Sequence, residues 1–268
     1  MTTDVILLFF WALALLAYVK MLRGSEGPWA ALLAVSLGFG LLDKYAMAYF
    51  VAGIVLAGFV SRDARALLKR PVLWIAVVVG VAMLTPNILW NLDHGFATAK
   101  ATAAYARGSS PTFHIGSALG FIASQFGVVG PITFGVLLIL FARLFGRSLS
   151  DDDRAMLAFA APPLFVVIAN AIYSGQANAN WAAPAMISAF VVTAACLVRE
   201  GWWRLLFLSV GIGMVVQAVM LLADPFADRL TIPGIAHGDI FPASAGLALP
   251  RRPCRGAHGG EGGGVGCG

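Results

Sequence analysis

Charge is scarce in this chain: Asp, Glu, Lys and Arg make up 12% of its 268 residues. Soluble domains use about a quarter of their residues this way to keep a hydrated surface. No stretch before residue 223 is long and polar enough to form such a domain, which excludes an ordinary water-soluble enzyme. Cysteine is also rare. Cys196 lies in an apolar run, while Cys254 and Cys267 fall near the end. Their placement offers neither metal-ligand spacing nor a disulfide framework. Basic clusters are missing as well. The net charge of +5 comes from residues scattered through short loops, so nucleic acid is not an expected partner.

Apolar residues fill the gap: 60% of the chain is hydrophobic and the mean hydropathy is +0.85. A helix crosses the bilayer core with about 20 mostly apolar residues. By that measure the chain is an all-α, polytopic transmembrane helix bundle. About eight spans are expected, near 5–22, 29–43, 45–60, 72–90, 117–142, 155–173, 183–198 and 205–222. The second and third nearly abut at Asp43-Lys44. The start of the fifth, Ile115 to Phe126, suits the interface. The bundle thus occupies residues 1–222. The tail, 223–268, has a Gly-, Pro-, Ala- and Arg-rich composition that favours disorder. Its Gly-rich end resembles GC-rich DNA translated out of frame, so a frameshift is expected near residue 241.

Alternate loops carry unequal charge. One set holds Lys20, Arg23, Arg62, Arg65, Lys69, Arg70, Arg143, Arg147, Arg154, Arg199 and Arg204; the other holds Lys44, Lys100 and Arg107. The positive-inside rule makes the first set cytoplasmic, with both termini extracytoplasmic. The expected location is the plasma (inner) membrane. The first apolar segment begins with Asp4 instead of a basic region and lacks a small-residue cleavage site, so it reads as a span and not a signal peptide.

Polar residues in such a setting are costly, and each has two readings. Asp4 is either the cap of the first helix or a carboxylate facing an outer cavity, able to assist proton transfer or bind a metal. Lys44, between Asp43 and Tyr45, is either half of an interfacial ion pair or a cation for an anionic head group. Trp90 suits the membrane interface. Asp93 and His94 are adjacent, not at helical ligand spacing. Ala97 to Gly108 is either an interfacial helix or a solvated loop. Asn178, Asn180 and Trp181 form either a polar turn before Pro184 or a surface that stacks and hydrogen-bonds a sugar. Asp151-Asp152-Asp153 suits a helix N-terminus better than a Mg²⁺ site, because consecutive acids point in different directions.

Four segments, taken in order, carry a resemblance. Thr2-Thr3-Asp4 leading into Leu7-Leu8-Phe9-Phe10-Trp11-Ala12-Leu13-Ala14 resembles the "TTD-x-x-LLFFWALAL" helix of family 39 glycosyltransferases, the polyprenol-phosphate sugar group that includes protein mannosyltransferases and bacterial aminoarabinose transferases. Gly38 to Tyr45 resembles their "GLGLLSKY" segment, with Asp43 where Ser is usual. Pro86 to Asn91 with Asp93-His94-Gly95 resembles "P-x-x-x-WN-x-x-HG", and Asn180 to Ala185 resembles "NWAAPA".

The resemblance implies a GT-C fold with an outward-opening site. A sugar would pass from a lipid-linked donor to a glycan, lipid or protein acceptor. Such chemistry needs a carboxylate to activate the acceptor and a cation to meet the departing phosphate. It implies Asp4 as the catalytic acid–base residue and as a candidate ligand for a divalent metal (Mg²⁺ or Mn²⁺). It implies Lys44, Tyr45, Trp90, Asn91, His94, Asn180 and Trp181 as substrate contacts. The family's preceding helix and large acidic outer loop have no counterpart here, so the sequence reads as part of a larger enzyme. Two other readings stand beside this one. A transporter or flippase would show repeated halves and deep ionisable groups, and neither is seen. A non-catalytic membrane fragment would keep the scaffold without the acidic loop.

Overall fold

Five prolines mark where helices begin. Pro28, Pro71, Pro86, Pro131 and Pro184 each stand in the first turn of a helix, where the missing N–H costs nothing and the fixed φ already suits the helix. The computed structural model describes residues 4–106, 113–146 and 148–223. Among them every regular element is helical: α1 Asp4–Leu22, α2 Pro28–Asp43, α3 Ala48–Val60, α4 Arg62–Leu68, α5 Pro71–Ala82, α6 Thr85–Asp93, α7 Ala97–Ala106, α8 Ile115–Val128, α9 Pro131–Ala142, α10 Asp151–Ser174, α11 Ala183–Arg199 and α12 Trp203–Ala223. Single 3-10 turns at Tyr45–Met47 and Ala179–Ala182 lead into α3 and α11. The tail after Ala223, with its expected disorder and frameshift, lies outside the described residues, as do Thr2, Thr3, Arg107 and Arg147.

The membrane-bundle expectation holds, with refinements. Four helical stretches are long and apolar enough to cross a bilayer: Asp4–Leu22, Pro71–Asp93, Asp151–Ser174 and Ala179–Arg199. Pro28–Asp43, Tyr45–Val60, Ile115–Val128, Pro131–Ala142 and Trp203–Val219 are apolar but shorter. The single long span expected over 117–142 is two helices. Gly130 takes φ 94°, a left-handed value that suits glycine, and Pro131 starts α9 immediately after it. The span expected over 72–90 falls within the stretch Pro71–Asp93, in which α5 and α6 meet at Met83-Leu84 just before Pro86.

The chain divides into two compact units, Met1–Val216 and Gln217–Gly268. Of the second, only the final turns of α12 are described. In the first, α1 packs on α2, α2 on α5, α3 on α10 and α10 on α11. At its centre Phe50 of α3 meets Trp11 of α1 edge-on, with ring centroids 5.1 Å apart, and Phe159 of α10 at 4.6 Å. Tyr18 of α1 closes the cluster on Phe159 at 4.8 Å. All four are buried. Within lipid the hydrophobic effect does not press helices together, so small residues that permit close approach decide the packing. A Cβ on Gly53 would fall 2.5 Å from the Phe159 ring, and one on Gly80 would fall 2.9 Å from the Ala34 carbonyl.

At one end of the bundle the acids of 151–153 cap helices and pair with arginines. Asp151 Oδ2 accepts from the Ser61 hydroxyl (3.1 Å) and from the N–H groups of Arg62 (2.6 Å) and Asp63 (3.0 Å), closing the open amide end of α4. Asp153 completes a capping box with Ser150 and takes both guanidinium nitrogens of Arg199, at 3.0 and 2.5 Å. Asp152 lies 3.8 Å from Arg23. Each acid of the triplet therefore serves a different partner, as capping residues do.

Candidate active site

The opposite end of α1 builds a different structure. Gly40 N-terminal to the α2 terminus lets Met47 fold beneath it, and α2 ends when Lys44 turns extended (φ −152°) while its N–H still reaches the Gly40 carbonyl at 2.9 Å. That turn aims the Lys44 side chain across to the first residue of α1. Lys44 Nζ donates to Asp4 Oδ1 at 2.5 Å. Asn180, carried by the 3-10 turn before α11, donates to Asp4 Oδ2 at 2.9 Å. Two segments, 40 and 176 residues away along the chain, thus converge on the Asp4 carboxylate.

These groups line an open cavity of about 650 Å³, within the range for a small-molecule site. Its other walls come from Leu7, Leu41, Tyr45, Tyr49, Asn87, Thr98, Thr102, Val166, Asn170, Trp181 and Pro184. Among its described lining residues, Lys44 is the sole cation and Asp4 and Asp43 are the anions. Asp43 keeps one buried carboxylate oxygen without a hydrogen-bond partner. The Lys44–Asp4 pair with Asp43 beside it in the chain, in apolar surroundings that strengthen charge interactions, gives the cavity one polarised patch.

Of the residues expected to contact substrate, Lys44, Tyr45, Asn180 and Trp181 line the cavity with Asp4. Trp90, Asn91 and His94 do not. Trp90 is exposed and stacks flat on the His94 ring, centroids 4.2 Å apart, while His94 Nδ1 lies 2.8 Å from the Trp90 carbonyl. Asn91 is buried behind the wall. Its Nδ2 reaches Asn87 Oδ1 at 3.1 Å and its Oδ1 accepts the N–H of Thr98 at 3.0 Å. The amide that reaches the cavity is Asn87, one helical turn earlier, where it receives the Tyr45 hydroxyl at 2.6 Å. Sequence reading passed over Asn87, Thr98, Thr102 and Asn170. The i, i+4 spacing of Asn87 and Asn91 was the signal available, since it puts both amides on one face of α6. The segment that carries Thr98 and Thr102, left open between helix and loop, is the helix α7. It begins after a left-handed Gly95-Phe96 turn (φ 63° and 59°), closed by the Phe96 N–H on the Asn91 carbonyl at 2.6 Å.

The donor set does not fit a divalent cation. Both Asp4 oxygens already face nitrogen donors, and the described residues hold no group of three His, Cys, Asp or Glu side chains suited to a metal.

Sequence comparison gives this helical bundle, with its acid–ammonium pair lining a cavity, two matches. Residues 1–90 match the family described as dolichyl-phosphate-mannose-protein mannosyltransferase. The chain is 34% identical over 232 residues to the lipid A galacturonosyltransferase RgtD of Rhizobium johnstonii, an alignment covering 87% of this chain and 48% of that protein. No solved structure matches. Both matches support a likeness to GT-C glycosyltransferases. It spans about half the length of the relative it matches.

Proposed function

We propose that this protein is the membrane-embedded part of a glycosyltransferase that moves a sugar from a polyprenyl-phosphate donor to an acceptor on the outer face of the plasma (inner) membrane. The Asp4–Lys44 pair in the cavity lining carries this reading. In it, Asp4 accepts the proton of an acceptor hydroxyl as that oxygen forms a bond to the anomeric carbon. The bond from that carbon to the phosphate oxygen breaks, and its electron pair leaves on the polyprenyl phosphate. Lys44 has three N–H donors and uses one on Asp4, so the others are available to the phosphate charge as it develops. The placement of both termini outside follows from the loop charges. A lipid acceptor is favoured over a protein, because the relative named above acts on lipid A.

The test is transfer of radiolabel from a polyprenyl-phosphate sugar to a lipid acceptor in proteoliposomes containing the chain. Transfer lost in Asp4→Asn supports the proposal, and undiminished transfer in that variant removes Asp4 from the mechanism. Donor binding without any transfer would favour the non-catalytic fragment.

A further inference from the structure

The wall formed by α6 and α7 has no role in the chemistry above, yet its polar groups are fixed in direction. The fixing begins at a backbone amide. The Thr98 N–H can only donate, so the Asn91 atom that receives it at 3.0 Å is the side-chain oxygen. Asn91 Nδ2 is thereby turned toward α6, where it donates to the Asn87 carbonyl at 2.9 Å and to Asn87 Oδ1 at 3.1 Å. Asn87 Oδ1 must then accept, and the Tyr45 hydroxyl, 2.6 Å from the same oxygen, must donate. Amide and hydroxyl orientations are normally settled by such networks, and here a single unambiguous donor settles three side chains. Asn91 is only 4% exposed, so water does not compete for its role.

The consequence appears on the cavity side. Tyr45 has committed its only hydroxyl proton and offers lone pairs alone. Asn87 Nδ2 has no partner among the described residues and offers hydrogens alone. Thr102 repeats the Tyr45 pattern, since its hydroxyl donates to the Thr98 carbonyl at 2.9 Å. Adjacent acceptor and donor groups suit a ligand hydroxyl, which gives one hydrogen bond and takes another. A phosphate oxygen, with acceptors only, would meet the Tyr45 lone pairs unfavourably, and an ammonium would leave Asn87 unmatched.

We infer that Tyr45 and Asn87 form a hydroxyl-reading subsite for the sugar of the lipid-linked donor, with Asn91 as the residue that positions them. The subsite rests on the glycosyl-donor reading given above and divides the cavity in two. Lys44 meets the phosphate, and the α6–α7 wall meets the sugar.

The two halves can be read separately by binding to the full chain in lipid nanodiscs. The probes are undecaprenyl phosphate and undecaprenyl phosphate glucose. Wild-type protein is expected to bind the glucosylated lipid about tenfold more tightly, the effect of one or two well-made hydrogen bonds. Asn87→Ala and Asn87→Asp are each expected to erase that tenfold preference and leave undecaprenyl phosphate binding unchanged, which also reports an intact fold. Asn91→Asp keeps an acceptor for Thr98 but cannot donate to Asn87, so it is expected to reduce the preference in the same selective way. Lys44→Met is expected to weaken both lipids alike. The subsite is overturned if the wild type shows no preference for the glucosylated lipid, or if the Asn87 variants weaken both lipids equally or neither. Failure of the wild type to bind either lipid would overturn the donor reading itself, and the subsite with it.

Discussion

The ammonium of Lys44 lies 2.5 Å from the Asp4 carboxylate, joining the end of one helix to the beginning of another across 40 residues of chain. The Asp4 side chain is 14% exposed and that of Lys44 36%, and both line the cavity. In the mechanism proposed above, only the two together provide both a base and a phosphate contact. Asp4→Asn is expected to lower sugar transfer by about 10²- to 10⁴-fold, the range for loss of a general base. Lys44→Met should fall in a similar range. Because each variant breaks the same pair, the double variant should lose much less than the product of the two. Single-turnover transfer rates measure all three, and fully additive losses would separate the residues mechanistically.

Chelation is a second test. The phosphate is assigned to an ammonium, and the carboxylate oxygens of Asp4 are taken by Lys44 and Asn180. Transfer by this protein should therefore be unchanged by EDTA and unstimulated by Mg²⁺ or Mn²⁺. A metal requirement would show in the same assay as a loss that added metal restores.

At the far end of the bundle, Arg199 holds Asp153, whose side chain is 4% exposed, through two hydrogen bonds. Arg199→Ala leaves a buried carboxylate with only its Ser150 contacts. Removing one partner of such a pair costs about 3 kcal/mol. The expected outcome is a lower unfolding temperature in detergent, with lipid binding unchanged in the protein that remains folded. By contrast, Arg23→Ala removes an exposed contact of 3.8 Å to Asp152 and should change stability by about 0.5 kcal/mol or less.

Glycine placement gives a packing test. Gly80→Leu would drive its Cβ to 2.9 Å from the Ala34 carbonyl and 2.8 Å from Leu37 Cβ, forcing α5 away from α2. Overpacking of this kind costs about 1–3 kcal/mol. Gly135→Leu on α9 is the control, since nothing lies within 4 Å of its added Cβ. Thermal unfolding should distinguish the two, with a marked drop in the first and little change in the second.

Much of the site could be read before the structure, although unevenly. Asp4, Lys44, Asn180 and Trp181 stood out because a polar residue beside an apolar helix needs a reason. Asn91 stood out equally in the sequence, yet it supports the wall from behind while Asn87 faces the cavity. A helix face is legible from spacing, but which amide of an i, i+4 pair points inward depends on how α6 is rotated against its neighbours. The same limit applied to the fifth expected span. Hydropathy ran unbroken through Val129-Gly130-Pro131, and only the left-handed Gly130 shows that the chain forms two helices there.

Helical structure and a membrane setting for the chain follow from composition and short-range pattern. Apolar composition sets its solvent, and prolines in first turns set several helix starts. These are local properties, carried by residues that need no distant partner. Tertiary structure decided the chemistry: that Lys44 pairs with Asp4, that Asn180 completes the carboxylate's contacts, and that a backbone amide at Thr98 fixes the direction of Asn91, Asn87 and Tyr45. Those relationships depend on side-chain distances of about 3 Å between segments far apart in the chain, and only the packing of the helices brings them within that reach.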